Sequence, residues 1–276
     1  MYVSVFLALL FIAVTPQTAF AGFDEDVEKC HDRDTPPKIA YDVCTRIIDS
    51  GKLDDDGLVE ALYWRSSALS QLDRTAVAIE DLIRAIGINP KRADLFKLRG
   101  FIRFKRRQHK QAIADYSEAI RLDPKDAESF RNRAGLFYLR KQHDQAFADY
   151  SESIRLEPTD AEAFRIRADI YFLREDYAAA VNDLNAAIRL EPDYADALID
   201  RAVNHSILGQ SEDALRDFDE GIRLKPDDAN AYNARGIHFE IIGNLDRARQ
   251  DFKKAYDLGL RKPHILEALR ELGIKP

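Results

Sequence analysis

Arginine and aspartate recur along this sequence at a spacing that could hold ion pairs. An arginine returns every 34 residues, and an aspartate follows each one 16 residues later. A guanidinium and a carboxylate can share two parallel hydrogen bonds, so each pair could clamp two segments together. The alternative is a ladder of arginines that binds anions, but the matching aspartates would neutralise it. We therefore predict structural pairs between Arg65 and Asp81, Arg99 and Asp115, Arg133 and Asp149, Arg167 and Asp183, Arg201 and Asp217, and Arg235 and Asp251.

The residue types that most often carry catalysis are scattered along the chain. None of the six histidines stands at metal-ligand spacing from another histidine or a cysteine. The sequence has no phosphate-binding glycine loop, no nucleophile elbow and no zinc helix motif. Aspartate and glutamate recur at regular intervals instead of converging on one pocket. We therefore expect no enzyme activity, no metal, no cofactor and no small-molecule substrate.

Cys30 and Cys44 are the only cysteines, and the turn signal Pro36-Pro37 lies midway between them. If residues 24–32 and 38–50 form antiparallel helices, the two sulfurs face each other across the hairpin. A disulfide is the expected outcome in an exported protein. Two buried free thiols are the alternative.

The first 21 residues have the pattern of a secretory signal. They carry no charged side chain, an apolar run spans residues 3–14, and Ala19-Phe20-Ala21 provides a small-x-small cleavage site. Twelve apolar residues extend only about 18 Å as a helix, which is too short for a bilayer core of about 30 Å. We predict cleavage after Ala21 and a periplasmic or secreted protein. An uncleaved membrane anchor is the alternative, because no lysine or arginine precedes the run.

Composition narrows the class of protein. Of 276 residues, 46% are hydrophobic and 10% aromatic, which supplies enough apolar surface to argue against disorder. The net charge of -7 argues against nucleic acid as a partner, since phosphate binding normally needs a basic face. Few glycines and prolines are present, so long helices are expected.

A 34-residue period organises the chain from residue 59 to residue 262. Proline recurs at this spacing from Pro90 to Pro226. Within each unit, position 4 is large and apolar, positions 8 and 27 are small, position 20 is alanine and position 24 is Leu, Tyr or Phe. The six units are 59–92, 93–126, 127–160, 161–194, 195–228 and 229–262.

This pattern resembles the tetratricopeptide repeat family and, with the N-terminal signal, an exported bacterial member of it. The resemblance implies an all-α, right-handed superhelical solenoid of antiparallel helix pairs with a concave inner surface. Residues 22–58 are expected to form a degenerate capping hairpin. Residues 263–276 are expected to form a closing helix, with Ile265, Leu266 and Leu269 facing the last unit.

The resemblance also implies that positions 2, 5, 9 and 12 of each first helix line the inner face. In the second to fourth units position 5 is basic and position 12 is aromatic, which suits an extended peptide with acidic and apolar side chains. Alternatively, acids three residues before each basic residue form ordinary solvated helix pairs. The predicted partner-binding residues are Lys97, Phe104, Arg131, Tyr138, Arg165 and Phe172.

Two functions remain open on the sequence alone. We expect a non-catalytic scaffold that binds a partner protein or peptide on its concave face. The alternative is an accessory structural subunit of an envelope or secretion assembly, held by its convex or terminal surface.

Overall fold

The computed structural model describes residues 16–271, with side chains from residue 22 onward. The predicted signal segment 1–21 lies outside the residues whose side chains are described. The chain divides into two compact units, Met1–Pro124 and Lys125–Pro276. Helices are the regular secondary structure within the described range. None of these helices is both long enough and apolar enough to cross a membrane.

The first unit begins with the predicted capping hairpin and continues with two repeats. Its helices are α1 (Pro16–His31), α2 (Pro37–Asp49), α3 (Asp55–Gln71), α4 (Thr75–Ile88), α5 (Ala93–Lys105) and α6 (His109–Leu122).

The second unit contains four repeats and a closing helix. Its helices are α7 (Ala127–Leu139), α8 (His143–Leu156), α9 (Ala161–Leu173), α10 (Tyr177–Leu190), α11 (Ala195–Ile207), α12 (Ser211–Leu224), α13 (Ala229–Ile241), α14 (Leu245–Asp257) and α15 (Pro263–Glu271).

Every repeat has the same internal layout. Its first helix, the A helix, ends at position 13, and its second, the B helix, begins at position 17. The turn between them places position 15 in the left-handed region, with φ from 58° to 78°. Only Gly209 and Gly243 use glycine there, whereas four repeats accept a side chain in this strained conformation. Each unit is therefore an all-α solenoid of antiparallel helix pairs, as predicted, and the handedness of the superhelix stays a prediction.

Small residues allow the two helices of a repeat to pack closely. The alanine at position 20 is almost fully buried in all six repeats. At position 8, a Cβ built on Gly236 would lie 2.7 Å from the Phe252 ring, so only glycine fits there without a shift. Phe252 at position 24 fills the space that the small residue leaves.

Both ends of the repeats are covered. At the N-terminal end, α1 and α2 pack on each other and on α3, and Cys30 and Cys44 lie at disulfide-bonding distance inside this cluster. At the other end, Ile265 and Leu269 of α15 are buried against the last repeat. Leu266, the third residue expected to face that repeat, is half-buried.

Candidate functional site

Each repeat brings its position-7 arginine against its position-23 aspartate. Since the helices are antiparallel and the turn is centred on position 15, these two positions stand level across the hairpin. Arg133 donates Nε to Oδ2 of Asp149 at 2.7 Å and Nη2 to Oδ1 at 2.9 Å. Arg167 does the same with Asp183 at 2.7 and 2.8 Å. The other four repeats repeat the two-point contact between Arg65 and Asp81, Arg99 and Asp115, Arg201 and Asp217, and Arg235 and Asp251.

The same arginines also bind the preceding repeat in the second unit, which the sequence did not suggest. A further guanidinium nitrogen reaches position 25 of the preceding B helix, 16 residues back. The acceptors are Ser151, Asn185 and Asp219, so the residue type varies while the position stays fixed. In these three repeats the arginine therefore contacts the preceding repeat as well as the second helix of its own repeat.

In the first unit, the predicted contacts Lys97 and Phe104 lie on α5. Lys97 is half-buried, and Phe104 is exposed with its ring centroid 6.1 Å from that of His109. On the same helix, Lys105 donates Nζ to the backbone oxygen of Ser70 on α3 at 2.9 Å.

In the second unit, the basic side chains predicted to meet a partner are engaged within the protein. Arg131 of α7 donates Nη1 to Oδ2 of Asp160 at 2.8 Å. Arg165 of α9 donates Nε to the Tyr194 hydroxyl at 2.8 Å and Nη1 to Oδ2 of Asp200 on α11 at 3.1 Å. Asp160 and Tyr194 are the last residues of the same repeats, whereas Asp200 belongs to the following repeat, so Arg165 ties one repeat to the next.

Two carboxylates share the Arg165 guanidinium. Besides Asp200, Oδ2 of Asp169 lies 3.7 Å from Nη1 of Arg165 and 3.5 Å from the Tyr138 hydroxyl. Burial raises the pKa of Asp169. Burial, together with repulsion from Asp169, raises the pKa of Asp200 to about 6. One cation thus faces two partly desolvated acids, and the cluster carries an excess of negative charge near neutral pH.

The aromatic residues at position 12 have a packing role in the turn. Each ring contacts the side chain at position 17, the first residue of the B helix. The ring centroids of Tyr138 and His143 lie 5.6 Å apart, as do those of Phe172 and Tyr177, and both pairs meet edge to face. Phe172 still exposes 36% of its surface.

Each of the four repeats in the second compact unit exposes an aliphatic side chain at position 13. These residues are the last of their A helices, and each exposes 44–64% of its surface. The A helices α9, α11 and α13 contact one another in turn, and the Tyr138–Asp169 contact links α7 to α9. The four helices therefore present one surface, which we call the A-helix face. The four exposed side chains, called the aliphatic row, are those of Leu139, Leu173, Ile207 and Ile241.

The sequence contained a signal for this row that our prediction did not use. Position 13 is Leu, Leu, Ile and Ile in four successive units, beside the position-12 residues that were predicted as contacts. In an isolated pattern, such residues resemble core positions. Their exposure becomes visible only when the neighbouring repeats are in place.

The outward side of the B helices has a different character. Arg155 and Glu152 form a two-point pair along α8, and Arg223 and Glu220 form the same pair along α12. Both pairs are largely exposed. Among the described B-helix residues of the second unit, exposed large aliphatics are Leu190 and Leu245. The apolar exposure is thus concentrated on the A helices and the turns that follow them.

Buried polar groups occur at position 10 of the last two repeats, where Ile102, Leu136 and Ile170 stand earlier. Asn204 and His238 are 3% and 1% exposed. Nδ1 of His238 lies 2.7 Å from Oγ of Ser206, and its Nε2 is buried without a hydrogen-bond partner. Burial lowers the pKa of His238.

Over residues 16–271 no group of three or more His, Cys, Asp or Glu side chains is arranged to hold a metal ion.

Comparison with known proteins bears on the fold. A TPR repeat model matches residues 100–139, and tetratricopeptide repeat models match residues 59–92, 161–194 and 208–259. The search of curated proteins finds no match to the chain.

Several solved structures are similar to this chain. The crystal structure of MamA is 26% identical with a TM-score of 0.54, over 58% of this chain and 93% of that one. YrrB, described as a TPR protein with an unusual peptide-binding site, is 19% identical with a TM-score of 0.61, over 70% and 98%. Pseudomonas aeruginosa pilF is 18% identical with a TM-score of 0.66, over 79% and 99%. The last two show a common fold. With the repeat models matched in both units, the chain belongs to the tetratricopeptide repeat family.

Proposed function

We propose that this protein is a non-catalytic scaffold that binds a segment of a partner protein on the A-helix face of its second unit. The tetratricopeptide repeat fold is typical of protein–protein interaction scaffolds, and proteins built from it are generally non-catalytic. The description of YrrB as having a peptide-binding site agrees with a protein or peptide as the class of partner.

The aliphatic row is the observation that carries the proposal. Leu173 and Ile207 expose 55% and 44% of their surface, whereas Ile170 and Leu198 on the same two helices are buried. A contiguous apolar surface bordered by polar groups is typical of an interaction site. Exposed Phe172, next to Leu173, widens this surface. By contrast, the arginines at position 7 already pair with aspartates inside the protein, so they are not offered to a partner.

We also propose that the protein acts after export. Two features support this: the uncharged apolar segment 1–21 with its small-x-small site, and two cysteines at disulfide-bonding distance. N-terminal sequencing of the protein from producing cells tests the proposal. A chain that begins at Gly22 supports cleavage, whereas one that begins at Met1 contradicts it.

Paired serine substitutions test the binding face. Leu173→Ser with Ile207→Ser should lower the affinity for a cross-linked and identified partner by about tenfold or more, because burying each aliphatic side chain against a partner is worth about 1.5–3 kcal/mol. Ile83→Ser with Leu190→Ser is the matched control, since these residues are exposed aliphatics on the B helices α4 and α10. The control should bind like the unmodified protein, and both variants should keep its helical content.

The reverse result would contradict the proposal. If the B-helix pair loses the partner and the A-helix pair keeps it, the partner is held by the outer surface. That outcome favours an accessory subunit of a larger assembly.

A further inference from the structure

We infer that the partner segment is an extended, polyproline II-like chain with an apolar side chain at every third residue and a lysine or arginine that meets Asp169 and Asp200. This inference rests on the proposed function and specifies the chemistry of the partner at the same face. It replaces the acidic peptide that the sequence suggested, because Arg131 and Arg165 already have acidic partners inside the protein.

The spacing of the aliphatic row favours this conformation. The row offers one side chain per A helix, and the axes of packed helices lie about 8–10 Å apart. We therefore expect successive members of the row to lie about 8–10 Å apart. A polyproline II chain has three residues per turn and rises about 3.1 Å per residue, so every third side chain returns to the same side after about 9 Å. A β-strand returns to the same side after about 7 Å, which does not match the row. If the partner segment were α-helical, it would bring a side chain to the same side once per turn, every third or fourth residue. About half of these side chains would then lie between the members of the aliphatic row.

The charges lie on the same face as the row. On α9, Arg165, Asp169 and Leu173 follow one another at intervals of four residues, which places them on one side of the helix. On α11, Asp200 stands two turns before Ile207. Asp169 is thus about 6 Å along the helix from the row, within reach of a lysine whose backbone lies over Leu173.

The acids have unused capacity for a cation. A carboxylate accepts several hydrogen bonds, and one guanidinium serves both Asp169 and Asp200. A second cation, supplied by the partner, would balance the cluster and favour the ionised form of both acids. An acidic side chain at the same place would add a third negative charge beside one arginine. Charge complementarity therefore selects a basic partner over an acidic one.

A designed peptide tests the inference directly. The probe is a fluorescein-labelled peptide of about four Leu-Pro-Lys triplets, which combines the three-residue period with cations. Two comparison peptides share its length: one has the same composition in scrambled order, and the other replaces each lysine with glutamate. Fluorescence anisotropy measures their binding to the full chain isolated from producing cells. We expect the triplet peptide to bind about tenfold more tightly than either comparison peptide.

Substitutions and a change of pH test the cation and the apolar side chains of the partner segment separately. Asp169→Asn with Asp200→Asn should weaken the lysine peptide about tenfold and leave a glutamine version of the peptide unchanged. Binding of the lysine peptide should weaken as the pH falls through about 6, where Asp200 takes up a proton. The charged groups that face Asp200 are Arg165 and Asp169 from α9 and Asp196 from its own helix.

Leu173→Ser should weaken the binding of all leucine triplet peptides, and Leu190→Ser should weaken the binding of none.

Tighter binding of the glutamate peptide, equal binding of the scrambled peptide, or tighter binding of a helical peptide with leucines seven residues apart would overturn the inference. These results would leave the proposed function standing if Leu173→Ser and Ile207→Ser still reduced the affinity for the identified partner. Failure of that serine test would instead remove the proposed function itself.

Discussion

Arg165 and Asp200 are joined across two repeats, with Nη1 of the arginine 3.1 Å from Oδ2 of the aspartate. The same guanidinium is held through Nε by the Tyr194 hydroxyl at 2.8 Å. Because Asp169 also faces this arginine, ionising Asp200 places a second negative charge in a partly buried site. The site is therefore suited to bind a second cation besides Arg165. Until that cation binds, the repulsion between the two carboxylates lowers the stability of the folded protein.

Asp200→Asn should stabilise the free protein near neutral pH. The carboxyl pKa is about 6 in the fold against an ordinary value of 3.8, so the unfolded chain holds the charge more easily above pH 6. The side chain is 32% exposed, which reduces the expected gain to about 1–2 kcal/mol. As the pH falls from about 6 towards 4, the folded protein takes up the proton first, so the gain should shrink.

Urea unfolding at about pH 7.5 and about pH 5 checks this difference. Asp246→Asn is the control, because the Asp246 side chain is 90% exposed and pairs with Arg249 at 3.4 Å. A gain that stays constant with pH would contradict the account of Asp200.

His238 should give a pH dependence of the opposite sign. Burial lowers its pKa from 6.5, so below that pH the unfolded chain takes up a proton that the folded chain excludes. The unmodified protein should lose stability there. His238→Leu copies the residue type of Leu136 at the same repeat position and removes a buried nitrogen without a partner, for a gain of about 1 kcal/mol at neutral pH. Thermal melts should show that gain growing as the pH falls, and a gain independent of pH would show that the fold does not lower the pKa of His238.

Asp149→Ala should destabilise the second unit by about 3 kcal/mol. The carboxylate is 9% exposed, and its removal leaves Arg133 without its two-point partner in a partly buried site. Glu152→Ala on the outer side of the same helix α8 is the control, because its pair with Arg155 is exposed and worth less than about 0.5 kcal/mol. Equal urea midpoints for the two variants would refute the clamp.

Cys30 and Cys44 should be oxidised in the protein isolated without reductant. Titration of the unfolded, unreduced chain should find no reactive thiol, and two reactive thiols would refute the disulfide. Reduction should destabilise the α1–α2 hairpin by about 3 kcal/mol, because the bond closes a loop over a sequence separation of 14 residues. The loss should appear as faster hydrogen exchange in α1 and α2.

The repeat period made the helix pairs and their internal clamps predictable. Arg133 and Asp149 stand equally far from the turn at Lys141, so the pattern alone places them opposite each other. The small residue at Gly236 and the large one at Phe252 likewise follow from a fixed register.

The candidate site follows a different logic and was only partly predictable. Arg165 meets Asp200, which lies 35 residues away at a repeat position where no other repeat has an aspartate. A period carries no information about partners that occur once. Exposure of Leu173 and Ile207 depends on how far the neighbouring helices cover them, which the spacing of apolar residues does not reveal.

Site-specific photo-cross-linking tests the central claim most directly. A benzophenone amino acid is placed at Leu173, on the A-helix face, or at Leu190, an exposed leucine on the B helix of the same repeat. Both proteins are produced in cells of the source organism and irradiated there, and the cross-linked products are identified by mass spectrometry. We predict that position 173 captures one defined partner through a basic segment with apolar residues at every third position, and that position 190 does not. Capture of the same partner from position 190 alone would contradict the assignment of the A-helix face as the binding surface.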